Sequence, residues 1–134
     1  MKLELKHIAP YLPYGLKGIE KRYKVIMELH GVSQHGFTLE DGDYDDLRRF
    51  KPILRPLSDL TKEIEVNGLK IIPLNELQTV YGYEYLYAYI HKNQGRFNHY
   101  AVCFGCLEYL LKWHFDVFGL VPQGLAIDIN TLEK

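Results

Sequence analysis

The chain has 134 residues, 47% of them hydrophobic, with 17 acidic and 16 basic side chains and a formal net charge of -1. That length and apolar content suit one globular domain over residues 1–134 and argue against disorder. The near-cancelling charge excludes a global field that would draw the whole molecule to nucleic acid or an anionic membrane, although a local patch remains open.

The N-terminus is not patterned as a secretory signal, because Glu4, Lys6 and His7 interrupt any apolar run. The most apolar stretch, 100–121, carries Glu108, Lys112, His114 and Asp116 and would be costly to bury in a bilayer. No membrane partner is expected. Cys103 and Cys106 are too close to staple a long loop, which fits a reducing compartment and a cytoplasmic location.

Pro10 and Pro13 limit the first segment to a short turn or 3₁₀ piece. Over 23–30 the residues alternate, with Tyr23, Val25, Met27 and Leu29 on one side and Lys24, Ile26, Glu28 and His30 on the other. This period of two predicts a strand. After a loop over 31–36, Phe37 and Leu39 alternate with Thr38 and Glu40 in a second strand, paired with the first as a hairpin. A further strand near 16–19 adds to it. The acidic stretch 40–46 reads as a solvated turn. Pro52 and Pro56 bracket Ile53, Leu54 and Arg55, and prolines at both ends suit an edge strand. Ser58 is placed to cap a single helical turn over 59–62.

Asn67-Gly68 favours a type I′ turn. A two-residue hairpin there sets Val66 opposite Leu69, Glu65 opposite Lys70 and Ile64 opposite Ile71, so like faces like on one side and opposite charges meet on the other. A helix continuing from Ser58 to Val66 and ended by Gly68 competes with it. Asn75 is placed to cap a short helix, with Gln78 in the capping-box position and Gly82 ending it. Tyrosines at 81, 83, 85, 87 and 89 have strand spacing, but Glu84, Leu86 and Ala88 favour helix over 83–92. A long amphipathic helix is expected from Asn98 to Gly119, with His99, Cys103, Cys106, Leu110, Trp113 and Val117 on one stripe laid across the sheet. The tail over 124–130 reads as a short closing strand. Strands first and helices later make the fold class α+β: an N-terminal antiparallel hairpin or meander sheet packed against C-terminal helices.

Candidate chemistry is sparse. Cys103 and Cys106 have redox spacing, but a redox pair belongs at a helix N-terminus, and here both sit inside an expected helix as small core residues. His99, Cys103 and Cys106 share a face and form a three-ligand zinc alternative, with no fourth ligand evident. Asp41, Asp43 and Asp45 resemble the start of a calcium loop, yet Asp46 and Pro52 stand where glycine and glutamate belong. His114 and Asp116 are two apart and would not face each other on a helix, so a catalytic pair there needs outside partners. Lys21, Arg22, Lys24, Arg48, Arg49, Lys51 and Arg55, with Tyr83 and Tyr87 as stacking platforms, outline a surface for a nucleic-acid or protein partner. No Walker loop, dinucleotide glycine pattern, HExxH or GxSxG is present.

Three stretches carry a likeness: Ala9-Pro-Tyr-Leu-Pro-Tyr-Gly-Leu-Lys17, Ile53-Leu-Arg-Pro-Leu-Ser-Asp-Leu-Thr61, and Trp113-His-Phe-Asp-Val-Phe-Gly-Leu120 continuing through Gly124-Leu-Ala-Ile-Asp-Ile-Asn-Thr131. Together they resemble a family of small uncharacterised proteins encoded by bacteriophages and prophages of gut bacteria. The resemblance implies a mobile-element origin and a role in the host cytoplasm, and transfers no activity. The expected function is a non-enzymatic accessory protein that binds a protein or nucleic acid, without a cofactor. The alternative is a metal-dependent hydrolase or nuclease-like enzyme using histidines and acids, His114 and Asp116 among them. No sequence feature fixes an oligomeric state.

Overall fold

The computed structural model describes residues 2–22, 24–33, 35–44, 46–66, 68–81 and 104–132, with backbone only for 78–81 and 104–106. Within them the fold is α+β. Eight strands are present: β1 Lys17–Glu20, β2 Ile26–Ser33, β3 Gly36–Leu39, β4 Gly42–Tyr44, β5 Phe50–Leu54, β6 Ile64–Val66, β7 Leu69–Ile71 and β8 Ile127–Asp128. Three α-helices accompany them: α1 Leu5–Ile8, α2 Pro73–Tyr81 and α3 Phe104–Lys112. Six strands form one sheet in the order β4-β3-β2-β1-β5-β8, antiparallel except where β8 runs parallel to β5, and β6 and β7 form a separate hairpin.

The prolines act as expected. Pro10 and Pro13 lie in a 3₁₀ segment, Ala9–Tyr14, that follows the single turn of α1. Strand β2 starts later than the alternation suggests, because Lys24 turns left-handed at φ 58° and bonds back to the Glu20 carbonyl. It also runs on to Ser33, so the expected loop over 31–36 shrinks to a tight turn, with a bulge between Leu29 and Gly31.

The acidic stretch is not a solvated turn throughout. Gly42–Tyr44 pairs with β3, because Tyr44 stacks on Phe37 at 4.9 Å with the rings 10° apart. The Asp43 carboxylate accepts the Thr38 hydroxyl at 2.9 Å, so its charge is used within the ladder. Strand β5 is not the expected edge either, since β1 and β8 flank it. The Lys21 N–H bonds the Arg49 carbonyl, which makes Ile19–Lys51 a hydrogen-bonded pair and Gly18–Pro52 a non-bonded one. The missing N–H of Pro52 therefore points away from β1. On that side β8 pairs only with Ile53 and Leu54.

Ser58 does not cap the next turn. A 3₁₀ segment, Leu57–Thr61, begins after Pro56 with no side-chain cap. The hairpin then forms in the expected register, Val66 opposite Leu69, Glu65 opposite Lys70 and Ile64 opposite Ile71, with Gly68 at φ 81°. Helix α2 starts at Pro73 rather than after Asn75, because proline's fixed φ suits the first helical position. The expected helix over 83–92 lies outside the described residues.

The long C-terminal helix is shorter than its stripe predicts. It stops at Lys112. His114 takes the left-handed conformation, its N–H bonding the Leu111 carbonyl at 3.0 Å and the Phe115 N–H bonding Leu110 at 2.9 Å. This crossed pair is a Schellman cap with histidine in the usual glycine place. Leu110 and Phe115, both fully buried, close its hydrophobic contact. Trp113 and Val117 therefore leave the helical stripe. Trp113 packs its ring on Tyr109 at 4.0 Å, and Val117 is buried in the following loop. Leu110 and Leu111 of α3, Leu74 and Leu77 of α2, and Leu29, Leu39, Phe50 and Leu54 of the sheet join one core. Among the described residues no helix is long and apolar enough to cross a membrane.

Candidate functional site

The sheet has an inner face on the core and an outer face. Side chains alternate along each strand. Gly18 and Glu20 of β1 and Phe50 and Leu54 of β5 are buried on the inner side. On the outer side Ile19 has Ile26 of β2 and Lys51 of β5 as its two neighbours. The backbone bond from Lys21 to Arg49, 2.8 Å, extends the next row, and Lys17 opposite Glu28 supplies another. Lys17, Lys21, Arg49 and Ile26 are exposed and Lys51 is half-exposed. Ile26 and its neighbour Val25 are apolar yet 49% and 54% exposed. Among the described residues no ion pair engages Lys17, Lys21, Arg49 or Lys51. Glu28, an acid on this face, contacts His30 at 3.6 Å, and the Glu40 carboxylate accepts the Glu28 N–H at 2.7 Å.

The sequence-derived binding residues thus divide. Arg49 and Lys51 join the outer face. Arg48 lies on the preceding 3₁₀ turn, tied to Asp46 at 3.1 Å, and this hydrogen bond holds the Asp46 carboxyl below its ordinary range. Arg55 leaves the surface altogether, its side chain only 11% exposed beside Asp59. Tyr83 and Tyr87 lie outside the described residues. Lys17, Ile19 and Ile26 were missed. Their period-two spacing was the available signal, but only the register puts them beside Arg49 and Lys51.

A second polar assembly is interior. Arg55 exchanges backbone bonds with the segment after α3, its N–H to the His114 carbonyl at 2.7 Å and its carbonyl from the Asp116 N–H at 2.8 Å. His114 Nε2 lies 2.7 Å from the Tyr14 carbonyl oxygen. Since a carbonyl only accepts, Nε2 carries the proton. Burial lowers the His114 pKa. The Tyr14 bond opposes that, Arg55 and Lys17 add to it, and Glu28 opposes it. Asp116 accepts the Leu120 and Val121 N–H groups at 2.7 and 2.8 Å, one on each oxygen. Burial raises its pKa, and these amides with Gly119 pull it back. The Tyr11 hydroxyl donates to the Phe115 carbonyl and accepts the Val117 N–H at 3.3 Å. Its burial raises the phenol pKa. Asp59 Oδ2 accepts the Asn130 amide at 2.8 Å, clamping the C-terminal segment to the Arg55 region.

His114 and Asp116 therefore serve backbone groups of their own chain rather than each other. Tyr11, Tyr14 and Asn130 were not singled out by sequence, because their partners are about a hundred or seventy residues away. Of the zinc alternative, His99 and Cys103 and the side chain of Cys106 lie outside the described residues. Among the described residues no three metal-ligating side chains gather. Asp41 instead accepts the Tyr44 hydroxyl at 2.7 Å. No protein-family model, curated protein or solved structure matches the chain.

Proposed function

We propose that the protein is a non-enzymatic binding protein that takes single-stranded nucleic acid on the outer face of its sheet. The observation that carries this reading is the lateral alignment of Ile26, Ile19 and Lys51, flanked by the Lys21–Arg49 row, with the cations outside any ion pair among the described residues. Surface cations outside ion pairs can displace the counterions condensed on a nucleic-acid backbone. Arg49, at the end of the 3₁₀ segment, and Lys51, in β5, flank the extended Phe50 and stand about 6.8 Å apart, a spacing that suits successive phosphates of an extended strand. Ile19 and Ile26 between the cations offer apolar surface to unstacked bases. The enzymatic alternative is less favoured, because both oxygens of Asp116 and the Nε2 of His114 are spent on backbone groups. On the strength of the sequence resemblance alone, we propose that such binding serves a bacteriophage or prophage in the host cytoplasm.

Fluorescence polarisation with a labelled single-stranded oligonucleotide tests this. Three phosphate contacts predict a log–log salt slope of about -2. The triple variant Lys21→Glu, Arg49→Glu and Lys51→Glu should abolish binding, while Lys112→Glu on α3 should bind as the unmodified chain does. Salt-independent binding, or undiminished binding by the triple variant, would overturn the proposal.

A further inference from the structure

A cleft of about 390 Å³ opens where Arg55, Asp59, Lys62, Glu63, Glu65 and Asn130 meet. We propose that it is a binding site for a free basic α-amino acid. The inference does not depend on the sheet-face reading.

The Asp59 side chain is only 3% exposed, and its two oxygens are unequally served. Oδ2 accepts Asn130 and faces Arg55 Nη1 at 3.5 Å. Oδ1 is buried and, among the described residues, accepts no hydrogen bond. The charge set against Oδ1 is the Lys62 ammonium, 3.6 Å away, on a side chain that is 65% exposed. A buried carboxylate oxygen ordinarily finds a donor. Here the nearest cation is too far for a good bond and sits on a long stem free to swing into water. Lys62 thus stands where an incoming ammonium would bind, and it can be displaced without disturbing the backbone.

The other end of the ligand follows from Arg55. A guanidinium carries five N–H donors. Among the described residues that of Arg55 makes one hydrogen bond, the long contact to Asp59, although the side chain is only 11% exposed. Its planar fork matches a carboxylate. Asp59 for an ammonium and Arg55 for a carboxylate stand side by side, 3.5 Å apart, as the two charged groups of an α-amino acid are themselves adjacent. With Lys62 displaced, Glu63 and Glu65 remain at the rim, and two acids there select a cationic side chain over a neutral or acidic one.

The test is a titration of the ¹⁵N-labelled full chain with L-arginine, followed by heteronuclear NMR. Agmatine lacks the carboxylate and Nα-acetyl-L-arginine lacks the ammonium. L-Arginine should give saturable shifts at Arg55, Asp59 and Asn130, with each analogue about tenfold weaker or worse. Lys62→Met keeps the stem, removes the competing ammonium and should tighten L-arginine binding several-fold, an effect that a purely structural Lys62–Asp59 contact would not give. The proposal fails if no saturable shift occurs up to about 10 mM, if either analogue binds as well as L-arginine, or if Lys62→Met leaves the affinity unchanged or weaker.

Discussion

His114 lies one residue beyond the cap of α3 at φ 60°, and its Nε2 donates to the carbonyl oxygen of Tyr14, 2.7 Å away. Backbone conformation and side-chain contact favour different residues at this position. The left-handed region favours glycine, by about 1 kcal/mol over a residue with a Cβ. The Tyr14 contact requires the imidazole, and a buried hydrogen bond contributes about 1 kcal/mol. His114→Ala loses the bond and keeps the strain, whereas His114→Gly loses the bond and relieves it. Urea denaturation should place the alanine variant below the glycine variant by about 1 kcal/mol, with the native chain at or above the glycine variant. Equal midpoints for alanine and glycine would contradict the cap geometry.

The same imidazole makes stability depend on pH. Its folded pKa lies below the ordinary 6.5 because the ring is buried. As pH falls through 6.5 the unfolded chain takes up the proton first, so the unfolded state is favoured. The His114 contribution is therefore complete above pH 6.5 and is lost progressively below it, towards the lowered folded pKa. His7, also lowered chiefly by burial, acts in the same sense. Unfolding free energy measured between pH 7.5 and about 5 should fall with acid, with a slope approaching one proton per buried histidine. In His114→Gly the slope should drop by the His114 share while the His7 share remains. Asp116, whose folded pKa is raised, has the opposite sign and is common to both chains.

Asp116 supports a sharper substitution test. Each of its oxygens accepts a backbone N–H from the turn that follows. An asparagine keeps the shape but brings an NH₂ where one oxygen stood, so two donors face each other in a buried site. Asp116→Asn should cost about 1–3 kcal/mol, the penalty for a buried polar group left without a partner. A catalytic role for Asp116 would instead leave stability nearly unchanged. Thermal unfolding of the purified variant distinguishes the two.

Local chemistry was legible in the sequence, and distant pairing was not. The hairpin over 64–71 was readable to the residue because Asn67-Gly68 and the charges of Glu65 and Lys70 specify turn and register within eight positions. β4 was hidden because Asp43 and the aspartates around it look like solvated turn residues, and only the ring of Phe37 shows why Tyr44 belongs in a ladder. The end of α3 was hidden because Gly119 is the natural stop, while the chain uses His114, whose unfavourable φ is held by a carbonyl 100 positions earlier. The same limit governs the candidate site. Arg49 and Lys51 could be picked out as cations, but Arg55 has the same charge and a different fate, decided by Asp59 and by an asparagine 71 residues from that aspartate.

Two glycines in the sheet test how its outer face is built. A Cβ at Gly18 would stand 2.4 Å from the Phe50 ring and 2.8 Å from the Lys51 carbonyl oxygen, whereas one at Gly31 would meet Thr38 at an ordinary 3.8 Å. Gly18 is therefore required by the close approach of β1 and β5, the two strands that carry Ile19 and Lys51 and whose ends lead into the Lys21–Arg49 pair. Gly18→Ala must push Phe50 off the inner face and spread the backbone, at a cost of about 1–3 kcal/mol. Gly31→Ala should stay within about 0.5 kcal/mol of the native chain. Adding Phe50→Leu to Gly18→Ala removes the ring clash but leaves the Lys51 carbonyl in place, so it should recover only part of the loss. Full recovery would mean that the ring alone sets the spacing, and no recovery that the backbone alone does. Urea midpoints of the three variants measure which contact holds β1 and β5 at the separation on which the cationic rows depend.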